Sequence, residues 1–256
     1  MKKHSGFTLV EIMIALFLGS LLLAGLMNIF ITTNRSMWLT DGLSHTQEAG
    51  RFSMDYISRY VRMGGYMDKN SNDSSGTALY SKNCGVGACA ANDVAGINGD
   101  RLAVFYYAPA SSTTRNCQGG IVAAGTSVVN VFWVNANREL VCGVFDPTAN
   151  AWSAVAAPLI TDVESLQYLV GTRSGNDIIY QPIDKIAANN WDNISSIRIA
   201  VLIASQAQDV NGKKANQAMD EKQRTYALLD QKIDTYNDGL IRQVFSTTID
   251  LINQSI

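Results

Sequence analysis

The most constraining feature of this sequence is an uncharged apolar run of twenty residues, from Ile12 to Ile31, in which Asn28 is the only strongly polar side chain. As a helix rising about 1.5 Å per residue, the run is about 30 Å long, which matches the hydrocarbon core of a bilayer. Lys2 and Lys3 precede it, so the positive-inside rule keeps them in the cytoplasm and places residues after about 35 outside it.

Glu11 lies at the cytoplasmic edge of this run. A carboxylate at the centre of a membrane span costs roughly 2.5–3.5 kcal/mol, and an acid within a span is a functional hypothesis by default. A cleaved signal peptide would have an apolar core of about 7–15 residues and a small-x-small site, whereas this run is longer and no such site follows it near Ser36. A plain signal anchor explains the length and the lysines but not Glu11.

The segment Gly6-Phe7-Thr8-Leu9-Val10-Glu11 resembles the class III signal of type IV prepilins and of type II secretion pseudopilins. The resemblance implies that a prepilin peptidase cleaves after Gly6 and that the new N-terminal residue, Phe7, is N-methylated. It also gives Glu11 an assembly role, because the α-amine of Phe7 on a neighbouring subunit would offset a carboxylate otherwise unpaired among apolar helices.

The charge balance excludes a nucleic-acid partner. The formal net charge is −2, and removal of residues 1–6 takes away two lysines and moves it to −4. A chain that binds nucleic acid would carry a basic surplus.

Four cysteines lie in the exported part, where disulfides persist. Four cysteines allow three pairings. We favour Cys84–Cys89, which closes a short glycine-containing loop, and Cys117–Cys142, which joins two predicted strands across about 25 residues and is worth on the order of 3–4 kcal/mol. A zinc site is the alternative, but the spacings are not C-x₂-C and no histidine is near, so we expect no metal.

The apolar run is predicted to continue as one helix from Phe7 to Arg62, ended by Gly64-Gly65. The alternative is two helices broken near Asn34. Apolar side chains in the second half follow helical spacing, at Leu39, Leu43, Met54, Ile57 and Val61, with Phe52 and Tyr60 beside them. This stripe needs a surface to bury against.

From residue 100 onward, short runs of β-forming residues replace the helical pattern. Residues 159–170 mix the two patterns and suggest a short helix leading into a strand, and residues 206–239 form a polar stretch. Hairpin connections without alternating helices predict an antiparallel sheet and an α+β fold. The predicted strands are residues 101–108, 128–134, 139–145, 178–180, 194–204 and 241–252.

No catalytic constellation is visible, and we expect neither an enzyme nor a cofactor. The only histidines are His4 in the leader and His45 on the helix, so the head holds no Ser-His-Asp arrangement. The segments starting at Asp68 and Asp234 resemble calcium loops but lack the residues at key positions, so we interpret both as solvated turns. The aromatic runs at 105–107 and 132–133 are interpreted as sheet core, with a glycan or protein site as the alternative.

Further motifs resemble the PilW family of minor pilins: Glu48-Ala-Gly-Arg-Phe52, Ser58–Tyr66, Asn116–Gly119, Glu139–Cys142 and Arg242–Asn253. The closing motif of the family usually has arginine before its asparagine. Ile252 stands there in this chain, so any role of that arginine does not carry over.

The resemblance implies a type IV pilin-like fold with four parts: a leader (1–6), an assembly half of the helix (7–35), an amphipathic half (36–65) and a disulfide-containing periplasmic head (66–256). It implies a single-pass inner-membrane protein that primes or joins a pilus near its tip. The implied partners are other minor pilins, the major pilin, the prepilin peptidase and methyltransferase, and a tip adhesin. The alternatives are a secretion pseudopilin of the GspJ kind and a membrane-anchored periplasmic enzyme or binding protein.

Overall fold

The computed structural model describes residues 8–67, 77–85, 87–94, 98–109, 113–205, 224–234 and 240–254. The chain divides into two compact units, residues 1–44 and 45–256. Helix α1 is a single element of 55 residues, Leu9–Met63, so the alternative of a break near Asn34 is wrong. Its bounds lie within two residues of those predicted from the sequence.

The first unit contains the apolar part of α1, whose large hydrophobic side chains are exposed from Leu9 onward. The helix is long and apolar enough to cross a membrane. Its polar side chains bond to their own helix: Asn28 donates to the carbonyl of Ala24 (3.1 Å) and Thr32 donates to that of Asn28 (2.8 Å). These bonds lower the cost of placing such groups among lipid or apolar neighbours.

The second unit contains the rest of α1 and eleven strands among the described residues. The strands are β1 (Leu102–Tyr107), β2 (Ser127–Val134), β3 (Leu140–Asp146), β4 (Ala151–Trp152), β5 (Ala157–Ile160), β6 (Val163–Ser174), β7 (Asp177–Gln181), β8 (Ile194–Ala204), β9 (Thr225–Leu228), β10 (Gln231–Asp234) and β11 (Arg242–Asp250). Short 3₁₀ helices span Ile183–Lys185, Ala188–Asn193 and Ile252–Gln254.

All strand pairs are antiparallel, and they form two sheets and a hairpin. The first sheet has the order β1-β2-β3-β4, with β5 also paired to β3, and the second sheet has the order β11-β8-β6-β7. The hairpin is formed by β9 and β10. The long helix packed on antiparallel strands confirms the predicted α+β class.

Small side chains on α1 allow the second sheet to approach closely. Thr46, Ala49, Gly50 and Ser53 are all buried, and a Cβ atom added at Gly50 would lie 2.3 Å from the ring of Phe245. Farther along, the helix buries the larger residues Ile57, Tyr60 and Val61. Of the predicted apolar stripe, Ile57 and Val61 are fully buried, whereas Phe52 beside it is 48% exposed.

The closing segment of the chain holds the end of α1. The helix ends at Met63, and Gly65 follows with φ 75°. The side-chain amide of Asn253 donates to the carbonyl oxygens of Arg62 (3.1 Å), Met63 (3.5 Å) and Gly64 (3.2 Å). These last-turn carbonyls have no partner within the helix, so Asn253 acts as a C-terminal cap supplied by a distant part of the chain.

The short helix suggested within residues 159–170 is wrong, because this segment forms the end of β5 and the first part of β6. Strand β6 lies between β8 and β7, and its burial pattern shows that side chains on both of its faces are covered. Its inner run therefore carries buried residues at consecutive positions, including Ser165, Leu166, Gln167 and Tyr168. A strand buried on both faces loses the period-2 alternation that would identify it in a sequence.

The polar stretch 206–239 contains the β9–β10 hairpin, which the sequence pattern did not predict. Leu228 of this hairpin packs on Ala200 and Leu202 of β8 in a small separate cluster. Asp234 is the last residue of β10. The rest of that calcium-like segment, residues 235–239, and the other one, residues 68–73, lie outside the described residues.

Candidate functional site

Glu11 lies in the first turn of α1, and its side chain is exposed. Thr8 caps this turn: its carbonyl accepts from the N–H of Glu11 (3.2 Å) and of Ile12 (3.3 Å), and its hydroxyl accepts from the N–H of Glu11 (3.4 Å). An acid in the first turn is also favoured by the positive end of the helix dipole. Gly6 and Phe7, the predicted cleavage and methylation residues, lie outside the described residues.

The surface that follows Glu11 is a nearly continuous apolar cylinder. Leu16, Phe17, Leu22, Leu23 and Ile29 are each between 64% and 71% exposed, and no residue of an 18-residue apolar window is buried. Exposed apolar surface of this extent is unfavourable in water and marks a membrane or protein interface. What this segment can do chemically is insert into lipid or pack against other apolar helices.

Both favoured cysteine pairs are bonded in the structure. The Cα atoms of Cys84 and Cys89 are 5.4 Å apart, and those of Cys117 and Cys142 are 6.2 Å apart. Both separations fall within the usual range for a disulfide. The second bridge joins β3 to the loop that precedes β2, so the prediction that it would join two strands is wrong.

Two tyrosines on α1 hold the loop that contains Cys117. Tyr56 donates to the carbonyl of Cys117 (2.6 Å), and Tyr60 donates to that of Asn116 (2.9 Å). Burial raises the pKa of Tyr56 to about 12, and the neighbouring Tyr60 adds to the shift. The helix is therefore fixed to the disulfide-bonded part of the first sheet by directed bonds as well as by packing.

Side chains from other elements also fix the Cys84–Cys89 loop. The indole N–H of Trp152 donates to the carbonyl of Cys84 (2.8 Å), and Nε of Arg101 donates to that of Cys89 (2.9 Å). Arg101 is 6% exposed, and burial lowers its pKa. The guanidinium of Arg101 therefore donates hydrogen bonds to carbonyl groups of this loop.

A buried ion pair connects two strands that are not adjacent in the second sheet. Glu164 at the start of β6 accepts from Nε (2.6 Å) and from a terminal nitrogen (2.9 Å) of Arg242 on β11. The two side chains are 14% and 5% exposed. Arg138, in the β2–β3 turn, lies 3.5 Å from the same carboxylate. Charged groups with this little exposure are stable only when they are paired.

Asp100 is a fully buried acid outside this network. Its two carboxylate oxygens accept from the backbone N–H groups of Asp93 (2.8 Å) and Tyr168 (2.9 Å). Burial raises the pKa of Asp100 to about 7, while the two N–H bonds act in the opposite direction. The carboxylate ties the loop around residue 93 to β6, so its position is that of a structural group.

Among the residues that the structure describes, the remaining candidates do not come together in a catalytic arrangement. His45 lines a surface groove of about 690 Å³ together with Phe52 and Ile160. In the part of the chain that the structure describes, no group of three or more His, Cys, Asp or Glu side chains could hold a metal ion. Phe105 and Phe132 are buried in the core, as interpreted from the sequence.

Two family models match this chain. The model described as Type IV Pilus-assembly protein W matches residues 124–253, and that of the prokaryotic N-terminal methylation motif matches residues 1–27. Among solved structures, the chain is similar to the type IV-like pilin TTHA1219 from Thermus thermophilus, with 16% sequence identity and a TM-score of 0.45 over 85% of this chain and 98% of that one. A search of curated proteins finds no match.

Proposed function

Because the chain belongs to the type IV pilus-assembly protein W (PilW) family, we propose that it is a minor pilin that joins the pilus near its tip and primes assembly there. The observation that carries this proposal is the exposed apolar part of α1, which begins within a matched N-terminal methylation motif. Such a surface needs lipid before assembly and other pilin helices afterwards. The mechanism is therefore polymer formation.

The proposed maturation starts with removal of residues 1–6 by the prepilin peptidase and N-methylation of Phe7. Residues 7–35 then form the assembly half of the helix and residues 36–65 its amphipathic half, with residues 66–256 as the periplasmic head. Before assembly, the protein is held in the inner membrane by a single span. Afterwards it lies in the pilus at the cell surface.

Glu11 is proposed to select the axial position of the subunit. A carboxylate among apolar helices is costly unless a cation faces it. In a bundle of such helices, the α-amine of Phe7 on a neighbouring subunit is a cation that can pair with Glu11. Removal of the carboxylate leaves that amine unpaired, so the loss falls on assembly and not on membrane insertion.

The head is proposed to choose partners, which are other minor pilins, the major pilin and an adhesin at the tip. Two disulfides and the buried Glu164–Arg242 pair support this role, because they hold the loops and the second sheet in one arrangement. A fixed surface loses little conformational entropy on binding.

Mass spectrometry of the exported protein tests the maturation step. The expected chain starts at N-methyl-Phe7. An intact Met1, or cleavage beyond residue 31, would refute the pilin assignment.

Substitution of Glu11 by alanine tests the assembly step, with Glu48→Ala on the exposed face of the same helix as the matched control. We expect cleavage of the leader to be unchanged in both variants. The amount of the chain recovered in sheared pili should fall at least about tenfold for Glu11→Ala, since one unpaired buried charge costs several kcal/mol. Equal recovery of Glu11→Ala and Glu48→Ala would show that the charge-matching hypothesis is wrong.

Gold labelling of the head on intact pili tests the tip position. Label at one end of the fibre, together with a large drop in pilus number in cells that lack the protein, is the expected result. Label distributed along the shaft would contradict the tip position.

A further inference from the structure

The outer edge of β11 is a long strand edge that no described strand covers. β11 pairs through all nine of its residues with β8 on one side and is the terminal strand of its sheet. The corresponding edge of β1 is occupied, because the backbone N–H of Tyr80 donates to the carbonyl of Ala103 (3.0 Å) and the backbone N–H of Phe105 donates to that of Ala78 (2.9 Å). The second unit thus covers one of these two edges with its own loops.

The direction of each backbone group on β11 follows from its register. The N–H of Ser205 donates to the carbonyl of Ile241 (2.7 Å), and the N–H of Leu251 donates to that of Ser195 (2.8 Å). These bonds lie at the two ends of a ladder that has no register shift, so the odd-numbered residues point their N–H and C=O groups at β8. The even-numbered residues point theirs away from the sheet.

Four residues therefore present backbone donors and acceptors along the open edge: Val244, Ser246, Thr248 and Asp250. All four are exposed, and Val244 is 39% exposed. Edge strands are usually protected from pairing by lysine, proline, a bulge or short length. Between its charged end residues Arg242 and Asp250, β11 has no lysine, proline or register shift, and it is rich in β-branched residues.

One row of α1 begins at the contact with β11 and is uncharged from Gly50 to Ser58. Gly50 contacts Phe245 of β11, and Met54 and Ser58 follow Gly50 at four-residue intervals along the same row of the helix. Both are half-buried. The inward side chains of a strand added beyond β11 would meet this row, which favours small or apolar residues over charged ones.

We infer that β11 receives an extended segment of a neighbouring protein in the pilus, which adds a fifth strand to the β11-β8-β6-β7 sheet. The segment that fits has about seven residues in an extended conformation, with small or β-branched side chains facing α1 and no proline at the bonding positions. The inference rests on the proposed function only for the place where the partner is found. The binding chemistry itself comes from the open ladder.

Hydrogen exchange on the wild-type chain is the first test. It compares the purified full chain in detergent with the same chain in sheared pili. The amides of residues 244, 246, 248 and 250 should exchange about 100-fold more slowly in pili, because each gains a ladder bond. The odd-numbered amides of β11 are bonded in both states and serve as the internal control.

A proline variant gives an independent test. Ser246→Pro removes an outward N–H without removing a bond to β8, and proline is tolerated at such edge positions. Ser246→Ala keeps the N–H and is the matched control. We expect recovery of the chain in pili to fall at least about tenfold for Ser246→Pro only, with the thermal unfolding of both purified variants close to that of the wild type.

The outcomes separate the two proposals. If the chain is present in pili and its four even-numbered amides exchange as fast as in detergent, the strand-addition inference is wrong while the proposed function stands. Wild-type recovery of Ser246→Pro in pili would also overturn the inference. Absence of the wild-type chain from pili would overturn the proposed function and, with it, the pilus as the source of the strand.

Discussion

Asn253 caps the end of α1, and the effect of its substitution on stability should depend on whether the new side chain can donate hydrogen bonds and not on its size. The amide has two hydrogens and lies within 3.1–3.5 Å of three carbonyl oxygens at the helix end. Asn253→Ala removes at most two good hydrogen bonds, each worth about 0.5–1.5 kcal/mol. Because the site is only half-buried, water replaces part of this loss, and we expect about 1–2 kcal/mol of destabilisation.

Asn253→Asp should be worse than Asn253→Ala at pH 7, although aspartate has the same shape as asparagine. A carboxylate only accepts hydrogen bonds, so it would face the three carbonyl oxygens without a donor and would also lie at the negative end of the helix dipole. The dipole contributes a further loss of about 0.3–1 kcal/mol. Below pH about 4 the carboxyl gains a proton and a donor, and the difference from alanine should vanish.

Thermal unfolding of the full chain in detergent, followed by near-ultraviolet circular dichroism, measures these differences. A unit of this size shifts by roughly 2–4 °C per kcal/mol, so we expect about 3–6 °C for alanine and more for aspartate. Ile252→Ala is the control, since its side chain is 64% exposed. If Asn253→Asp unfolds at the wild-type temperature at pH 7, Asn253 does not cap the helix.

Three further predictions concern the second unit. Glu164→Gln removes the negative charge that faces the guanidinium of Arg242 and should cost roughly 3–5 kcal/mol in denaturant unfolding, whereas Asp55→Asn, in an exposed helical pair, should cost less than about 0.5 kcal/mol; equal losses would contradict the buried pair. Tyr56→Phe should cost about 1 kcal/mol. Because the pKa of Tyr56 is raised from 10.0 to about 12, its contribution is present below pH 10 and is lost as the pH rises through 12. The variant should therefore lack a tyrosine that ionises near pH 12 in a 295 nm titration, and an unchanged titration would refute the assignment. Replacement of Cys117 and Cys142 by serine should lower the free energy of unfolding by about 3–4 kcal/mol, and non-reducing peptide mapping of the wild type should show this bridge; a link from Cys84 to Cys117 would refute the pairing.

Local patterns in the sequence were sufficient for several elements of the second unit. The strand predicted at residues 194–204 is β8 with the same bounds, and the one predicted at 128–134 is β2 extended by one residue. Both runs are long and rich in β-branched residues, so propensity and burial agree. Agreement failed at β6, where burial on both faces removes the alternation, and at β9–β10, which is too short and polar to stand out.

The apolar stripe on α1 shows a second limit of sequence patterns. Large apolar residues at helical spacing suggested the buried face, yet the small residues Thr46, Gly50 and Ser53 are buried as well, and Gly50 lies directly against Phe245 of β11. Small residues carry a weak hydrophobic signal and become important only when a partner such as Phe245 is known. Phe52 shows the converse, because it is a large apolar residue and is nevertheless 48% exposed.

The sequence by itself determined the long helix, the β-rich part that contains the cysteines and the position of Glu11 immediately before an uncharged run. These features depend on composition and spacing over a few neighbouring residues, and no distant contact changes them. Only the tertiary structure decided that Asn253 caps α1, that Glu164 pairs with Arg242 and that no described strand covers the outer edge of β11. Each depends on residues far apart in the chain, whose proximity is fixed by the packing of the whole unit.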